Sequence, residues 1–171
     1  MTPNFIMTSA SISQLDAIWE IFDAAIERRR EEGSQQWQDG YPNREIIQND
    51  MTHGYAKIWQ QEGKVAAYAA AIDQPDPDYI DIEGAWLTDG SYLVIHRIAV
   101  STSFLNRGLA TQVMKDLESV ALEKKLPSIR VDTSYDNPAM QRVFEKLGYT
   151  HCGTIRIRGK KRLAFEKILF S

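Results

Sequence analysis

The chain has 171 residues, the length of one domain with a core of its own. Hydrophobic residues make up 43% and charged residues 25% of it, close to the averages for soluble globular proteins. The formal net charge of -3 argues against a general nucleic-acid binder, which would carry a concentrated basic excess.

Cysteine usage and the N-terminal sequence bear on the cellular compartment. The single cysteine, Cys152, excludes an internal disulfide and fits a reducing environment. The stretch MTPNFIMTSASIS lacks a basic region followed by a long apolar segment, so no signal peptide is expected. No apolar run approaches the length that spans a bilayer. We therefore expect a soluble, cytoplasmic protein without a membrane partner.

The first half of the chain predicts a short strand, two helices and a strand hairpin. Serine residues can cap the first helix, and Asn43 can cap the second. A loop with glycine and proline separates the helices, and the turn Glu62-Gly63 joins the hairpin strands. The predicted bounds, in chain order, are Phe5–Thr8, Ser11 or Ser13 to about Glu31, Asn43 to about Met51, Tyr55–Gln60 and Lys64–Asp73.

The second half predicts strands that alternate with helices. The stretch QPDPD interrupts the hairpin pattern, and Tyr79–Leu87 is expected to be extended and irregular. The remaining predicted elements are a strand over Tyr92–Val100, a helix over about Arg107–Lys125, a strand over Ile129–Thr133, a helix from Asn137 and Pro138 to Gly148, and closing strands over about Thr150–Ile157 and Arg162–Leu169. This order predicts a mixed sheet with helices on its faces, in an α/β or α+β single domain over residues 1–171.

The stretch VSTSFLNRGLAT lies between the strong central strand and its helix. A helix N-terminus carries unpaired backbone N–H groups and the positive end of the helix dipole, so it attracts anions. Gly108 lets a phosphate approach the backbone without meeting a Cβ atom, and Asn106 and Arg107 add donors and charge. Two interpretations stay open at this point: a phosphate site, or a tight turn that needs glycine. The stretch is neither a P-loop nor a GxGxxG fingerprint.

Two longer stretches carry a family resemblance. HRIAVSTSFLNRGLATQVM, followed by SIRVDTSYDNPAMQRVFEKLGYTHCG, resembles the GNAT superfamily of acetyl-CoA-dependent N-acetyltransferases. The match covers about residues 92–170 in motif and the remainder in element order. The resemblance implies a mixed, mostly antiparallel sheet whose central parallel strands, Tyr92–Val100 and Ile129–Thr133, splay apart, with helices on both faces. It also implies a cofactor-binding core over about residues 92–149 and acceptor-side segments over about 33–44 and 79–90.

The resemblance assigns the cofactor site residue by residue. The pantetheine arm would pair with strand backbone, the pyrophosphate would lie at the helix start, and Asn137 would contact the arm near the thioester. The implied acetyl-CoA-binding residues are Ile98, Ala99, Val100, Leu105, Asn106, Arg107, Gly108, Leu109, Ala110, Thr111, Asn137 and Phe144. Two of them depart from the family pattern. Leu105 stands where the family usually has Gln or Arg, and Phe144 stands where many members have a tyrosine acid.

Candidate catalytic groups lie near the predicted splayed strands. His96 is the first candidate for the base that takes the proton of the amine, and a structural role is its alternative. Its neighbour Arg97 would point to the opposite face of a regular strand and pair with an acid. Glu83 is a second candidate that binds the amine or acts through water, and Tyr135 is a reserve acid for the thiolate. No metal-ligand spacing is evident, and Cys152 is not expected to be a nucleophile.

The acceptor side is predicted from aromatic residues on two loop segments. Trp37 and Tyr41 lie on the first segment, and Trp86 lies on the second, although such residues also pack in cores. We expect direct transfer of an acetyl group to a primary amine of a small molecule, an amino acid or a peptide. The alternatives are a coenzyme A-binding sensor with little catalysis, and a protein N-terminal or lysine acetyltransferase. Homodimer formation through the edge strands near Thr150–Leu169 is open.

Overall fold

The structure is a computed structural model that describes residues 4–171. Over these residues the chain forms eight strands, four α-helices and three short 3-10 helices. The strands are β1 Ile6–Ser9, β2 Ala56–Gln61, β3 Lys64–Ile72, β4 Glu83–Gly84, β5 Leu93–Val100, β6 Ser128–Ser134, β7 Thr150–Ile157 and β8 Lys160–Ile168. The α-helices are α1 Leu15–Glu31, α2 Arg44–Thr52, α3 Leu109–Glu123 and α4 Pro138–Lys146.

The helix boundaries follow from capping residues and left-handed positions. Asn43 accepts the N–H of Ile46 at 3.0 Å at the start of α2, as predicted. Helix α3 begins at Leu109 rather than Arg107, because Gly108 has a left-handed φ of 72°. It ends at Glu123, and Lys125 two residues later is left-handed with φ 58°.

The chain divides into two compact units, which are described separately. The first unit comprises the residues up to Ala71 together with Arg97–Val113. Its strands run in the order β1-β2-β3 and are antiparallel, with Ile6 opposite Gln60 and Ala56 opposite Ala70. Its core is apolar and fully shielded from solvent, which is the main favourable term in folding. The largest buried side chains in this unit are Trp59, Tyr68, Phe22, Ile18, Ile47 and Ile58.

The second unit comprises Ile72–His96 and Met114–Ser171. Its strands run in the order β5-β6-β8-β7-β4, and the β5–β6 pair is parallel while the others are antiparallel. Residues Tyr79, Val94, Ile155 and Ala164 form a buried core cluster in this unit. Its shortest pairing, β4 with β7, brings Gly84 against Gly153 so closely that no Cβ would fit on either residue.

These elements confirm the predicted fold class. The fold is mixed α/β, with mostly antiparallel strands and one parallel pair. The irregular segment around Tyr79–Leu87 contains a 3-10 turn at Pro77–Tyr79 and the two-residue strand β4. A single domain over residues 1–171 stays a prediction. Among residues 4–171, no helix combines the length and the apolar character that crossing a membrane requires.

Strand β5 is not regular, because Arg97 in its middle has a left-handed φ of 57°. The parallel ladder joins Leu93–Ile95 to Ile129–Val131 and does not extend to the next pair, His96 and Asp132. A left-handed conformation costs a residue with a Cβ about 1–2 kcal/mol. The strand therefore bends where its parallel pairing stops.

A buried ion pair holds Arg97 in this conformation. Its guanidinium donates two hydrogen bonds to the carboxylate of Asp50, at 2.9 and 2.6 Å, and a third to the hydroxyl of Tyr41 at 2.6 Å. The hydroxyl of Tyr68 donates to the same Asp50 carboxylate at 2.6 Å. Burial, and then the charge of Asp50, raises the pKa of Tyr68, so this phenol stays protonated and remains a donor. The predicted pairing of Arg97 with an acid is confirmed.

The substitution Asp50→Ala should lower the free energy of unfolding by about 3–5 kcal/mol, because it leaves the buried Arg97 charge uncompensated. Urea unfolding monitored by circular dichroism measures this change. Asp23→Ala on the exposed side of α1 is the control and should change stability by less than about 0.5 kcal/mol. Equal effects of the two substitutions would show that the Asp50–Arg97 pair contributes nothing specific.

Candidate active site

The first component of the site is the loop between β5 and α3 in the first unit. Ser101 donates its N–H to the carbonyl of Ala66 at 2.8 Å, which fixes the start of the loop. A 3-10 turn at Thr102–Phe104 follows, and the buried Phe104 ring packs edge-on against Phe5, with the centroids 5.6 Å apart. Asn106 then adopts a left-handed φ of 61°. The loop is therefore anchored at its start and turns sharply before the helix.

The start of α3 contains backbone N–H groups that have no partner inside the helix. The amide of Gln112 donates to the carbonyl of Gly108 at 3.1 Å and closes the first helical turn. The N–H groups of Leu109, Ala110 and Thr111 precede that bond and have no acceptor within the helix. A Cβ built on Gly108 would meet no heavy atom within 4 Å, so the space beside this backbone is open. The residues present therefore fit a bound pyrophosphate.

Arg107 supplies positive charge to the same loop. Its side chain is exposed, and its guanidinium lies 5.4 Å from the centroid of the Phe104 ring. The first turn of α3 contains no acidic residue that would repel a phosphate. Leu105, half-buried, contributes no side-chain donor. The family pattern has Gln or Arg at the position of Leu105. In this chain the positive charge is instead on Arg107, two positions later.

The second component is a polar cluster around His96 in the second unit. The Nε2 atom of His96 lies 2.6 Å from Oδ2 of Asp76, and its Nδ1 atom lies 3.6 Å from Oδ2 of Asp132. The hydroxyl of Tyr79 donates to the same Asp132 oxygen at 2.5 Å, and Arg162 donates to the other oxygen of Asp132. The His96 side chain is 16% exposed. The imidazole is therefore held between two carboxylates and still reaches solvent.

Burial and nearby charges shift the pKa values of two neighbours of His96, Tyr79 and Asp78. Complete burial, and then the charge of Asp132, raises the pKa of Tyr79 well above its ordinary value, so this phenol remains a proton donor to Asp132. Burial, and then the charge of Asp76, raises the pKa of the Asp78 carboxyl. Three carboxylates, those of Asp76, Asp78 and Asp132, thus lie around His96, and the Arg162 guanidinium pairs with Asp132.

Comparison with known proteins decides the family. A profile described as the acetyltransferase (GNAT) family matches residues 16–149. The chain belongs to the GNAT family. It is 38% identical to a GNAT acetyltransferase of Streptococcus agalactiae 2603, with a TM-score of 0.88 over 98% of this chain and 97% of that one. It is also 25% identical to YesJ, an uncharacterised N-acetyltransferase of Bacillus subtilis, over 87% of this chain and 83% of that protein.

More distant structures share the fold. A GNAT acetyltransferase of Listeria monocytogenes is 22% identical, with a TM-score of 0.79 over 98% of this chain and 96% of that one. The family assignment confirms the predicted resemblance and identifies the chain as an N-acetyltransferase. Members of the GNAT family generally use acetyl-CoA and act on amine acceptors.

The other two predicted catalytic residues, Tyr135 and Glu83, both lie next to Thr154 of strand β7. Tyr135 is 52% exposed, and its hydroxyl lies 2.7 Å from Oγ1 of Thr154 on β7. Glu83 on β4 is exposed and lies opposite the same Thr154 in the β4–β7 register. The structure therefore gathers Tyr135 and Glu83 at one position of β7. Their roles in this GNAT member stay predictions.

The predicted cofactor residues of the second unit have structural partners. Asn137 is buried and accepts the N–H of Met140 at 3.3 Å, so its side chain caps α4. Phe144 is 1% exposed, with its ring 5.2 Å from Phe165 and 5.8 Å from Tyr149. At position 144, where many GNAT members have a tyrosine, this chain has a buried ring without a proton to give.

The three predicted acceptor-side aromatics are partly buried. The Trp37 ring lies 5.6 Å from Phe22, and the Tyr41 hydroxyl accepts from Arg97. In the second unit, the Trp86 indole donates to the carbonyl of Tyr79 at 2.8 Å. The Trp86 ring also contacts the Arg130 guanidinium at 4.5 Å. Each of these aromatics is thus fixed by neighbours in its own unit, and their contact with an acceptor stays a prediction.

Sequence reasoning missed the carboxylates that surround His96. Asp76 lies in the QPDPD stretch that interrupts the strand pattern, and Asp132 lies in the predicted strand Ile129–Thr133. The available signal was the flanking prolines, since a carboxylate between two prolines is fixed in the backbone.

The unreactive role predicted for Cys152 is consistent with its surroundings. Burial, and then the charge of Glu166, raises the pKa of this thiol and lowers its thiolate fraction near neutral pH.

Proposed function

We propose that this GNAT member transfers the acetyl group of acetyl-CoA to a primary amine of a small molecule, an amino acid or a peptide. The amine attacks directly, with both substrates bound in a ternary complex. The observation that carries this proposal is the open backbone at Gly108, beside the unpaired N–H groups at the start of α3. Family membership supplies the reaction class.

The loop residues bind the cofactor through its phosphates. The N–H groups of Leu109, Ala110 and Thr111 and the charge of Arg107 hold the pyrophosphate, with Asn106 as a further donor. The backbone of Ile98, Ala99 and Val100 offers an extended edge to the pantetheine arm. Acetyl-CoA, when bound, supplies an activated acetyl group as a thioester with a tolerable leaving group.

His96 takes the proton that the amine must lose. A bond forms between the amine nitrogen and the acetyl carbon, the carbon–sulfur bond breaks, and the amine proton passes to His96 directly or through one water. The departing sulfur takes a proton from water or from Tyr135, because Phe144 has none to give. Proximity of the two substrates accounts for most of the rate, so the contribution of the acid is modest.

The acceptor is recognised by aromatic surface and by carboxylates. Trp37 and Tyr41 from the first unit and Trp86 from the second are the aromatic candidates. Glu83 is an exposed carboxylate on the acceptor-side segment, and we assign it to the ammonium group of the acceptor.

Acetyl-CoA at about 100 times its Kd should raise the melting temperature of the protein by about 5–10 °C, since binding at that level adds about 2.7 kcal/mol. Gly108→Ala should abolish most of this shift, because the new methyl group enters the open space where the phosphate approaches. Gly63→Ala is the matched control, with φ +78° and an equally open Cβ position outside the loop. Loss of the shift in both variants, or in neither, would contradict the assigned phosphate site.

Acetyl transfer to amines is measured as release of the coenzyme A thiol with a panel of diamines, amino acids and peptide N-termini. His96→Gln should lower kcat/KM for the best amine by about 100- to 10,000-fold and change the pH profile of kcat/KM to one that follows the ionisation of the amine alone. His53→Gln, which changes an exposed histidine on the other unit, is the control and should leave both unchanged. An unchanged pH profile in His96→Gln would contradict its role as the base.

The same panel distinguishes the alternative function. A coenzyme A-binding sensor would show the thermal shift with acetyl-CoA but no acetylated product with any amine. The observation that favours this alternative is the buried Phe144, which removes the usual family acid. Product from peptide N-termini alone would instead indicate a protein acetyltransferase.

A further inference from the structure

We infer that Asp76 is a positioning residue that holds His96 with its proton on Nε2, so that Nδ1 is the nitrogen that accepts the proton of the amine. This inference rests on the proposed function. It goes beyond that function by assigning the nitrogen that reacts and the carboxylate that selects it.

Asp76 is held at its backbone and at both carboxylate oxygens. Its N–H donates to the hydroxyl of Tyr92 at 3.1 Å. Its Oδ1 accepts the N–H of Asp78 at 2.9 Å and so caps the 3-10 turn Pro77–Tyr79. Pro75 and Pro77 on either side restrict the backbone further. Oδ2 is consequently aimed at Nε2 of His96, 2.6 Å away, and has little freedom to turn elsewhere.

Asp132, the second carboxylate beside His96, is already engaged by other donors. Tyr79 donates to its Oδ2 at 2.5 Å, and Arg162 donates to its Oδ1. The separation of 3.6 Å between Nδ1 of His96 and Oδ2 of Asp132 is longer than a hydrogen bond. The hydrogen bond that selects the tautomer is therefore the one to Asp76.

This arrangement has a direct chemical consequence. With a proton on Nε2 bonded to Asp76, the neutral imidazole carries its lone pair on Nδ1. When Nδ1 takes the amine proton, the imidazolium lies between the charges of Asp76 and Asp132, which stabilise it. A carboxylate that orients a histidine base in this way acts as in a catalytic triad, without itself taking the proton. Asp76 contributes to the rate through His96 and does not touch the substrate.

The charged and titratable groups around His96 come from four elements. Asp76 caps the 3-10 turn, and Asp78 and Tyr79 lie within it, with the Tyr79 ring edge-on to the imidazole at 5.8 Å. Asp132 comes from β6 and Arg162 from β8. Tyr92, which precedes β5, accepts the N–H of Asp76, and its ring stacks on Tyr79 with the centroids 6.4 Å apart. Among these side chains, only Asp76 makes a hydrogen bond of 2.6 Å to the imidazole of His96.

The tautomer of His96 is read directly by long-range ¹H–¹⁵N correlation spectra of the ¹⁵N-histidine-labelled protein, with His96→Gln assigning the signals. At a pH where the imidazole is neutral, wild-type His96 should be the Nε2–H form. Asp76→Asn should shift it toward the Nδ1–H form, because an amide N–H facing Nε2 needs an acceptor there. Asp78→Asn on the same turn should leave the tautomer unchanged. A wild-type Nδ1–H form, or no shift in Asp76→Asn, would overturn the inference.

Kinetics test whether the tautomer matters. Asp76→Asn should lower kcat/KM for the amine by about 100- to 10,000-fold, while the thermal shift with acetyl-CoA is retained. Asp76→Ser is the second variant, because serine keeps the cap on the 3-10 turn but removes the carboxylate. In a His96→Gln background either substitution should have no further effect, since Asp76 acts through His96. Activity within threefold of wild type in Asp76→Ser would overturn the positioning role.

Failure of the inference and failure of the proposed function are distinguishable. If the wild-type protein acetylates no amine in the panel, the proposed function fails and the catalytic role of the pair fails with it. The spectra still decide whether Asp76 selects the tautomer of His96. If wild type is active and the Asp76 variants are equally active, the proposed function stands and the inference fails.

Discussion

The bend of strand β5 at Arg97 is the constraint on which the rest of the site depends. A residue with a side chain is held in a left-handed conformation in the middle of a strand, with φ 57°, and the buried carboxylate of Asp50 keeps it there through two hydrogen bonds. The parallel ladder with β6 stops at Ile95, so His96 is the first residue of β5 beyond it. The consecutive residues His96 and Arg97 therefore enter two separate polar networks.

The local features of this chain were predictable because their signals are local. Asn43 and Pro138 mark helix starts, Gly148 follows the last turn of α4, and the alternation of apolar residues marks the strands, so every predicted helix and strand is present within about two residues. The loop at Gly108 was also predictable, since strand, small residues, glycine and helix follow each other directly in the sequence. The GNAT motif then favours a phosphate site over a simple tight turn at this position.

The networks around His96 and Arg97 were not predictable, because they join residues far apart in the chain. Asp76 lies 20 residues from His96, and Asp50 lies 47 residues from Arg97, so no local spacing in the sequence connects either pair. The alternation of a regular strand predicts an acidic partner for Arg97, and this is confirmed. It does not predict the left-handed backbone of Arg97. The departures at Leu105 and Phe144 were visible in the sequence, yet only the packing shows Phe144 buried among aromatic rings.

We propose that the acetyl group passes directly from acetyl-CoA to an amine, without an acetylated protein as an intermediate. This direct transfer is tested most directly by initial rates over a grid of acetyl-CoA and amine concentrations, with the intact mass of the protein recorded after incubation with acetyl-CoA alone. Direct transfer in a ternary complex predicts double-reciprocal lines that intersect and a protein mass that stays unchanged. Parallel lines together with an acetyl adduct on Cys152 would contradict it, because they would show a covalent intermediate on the thiol.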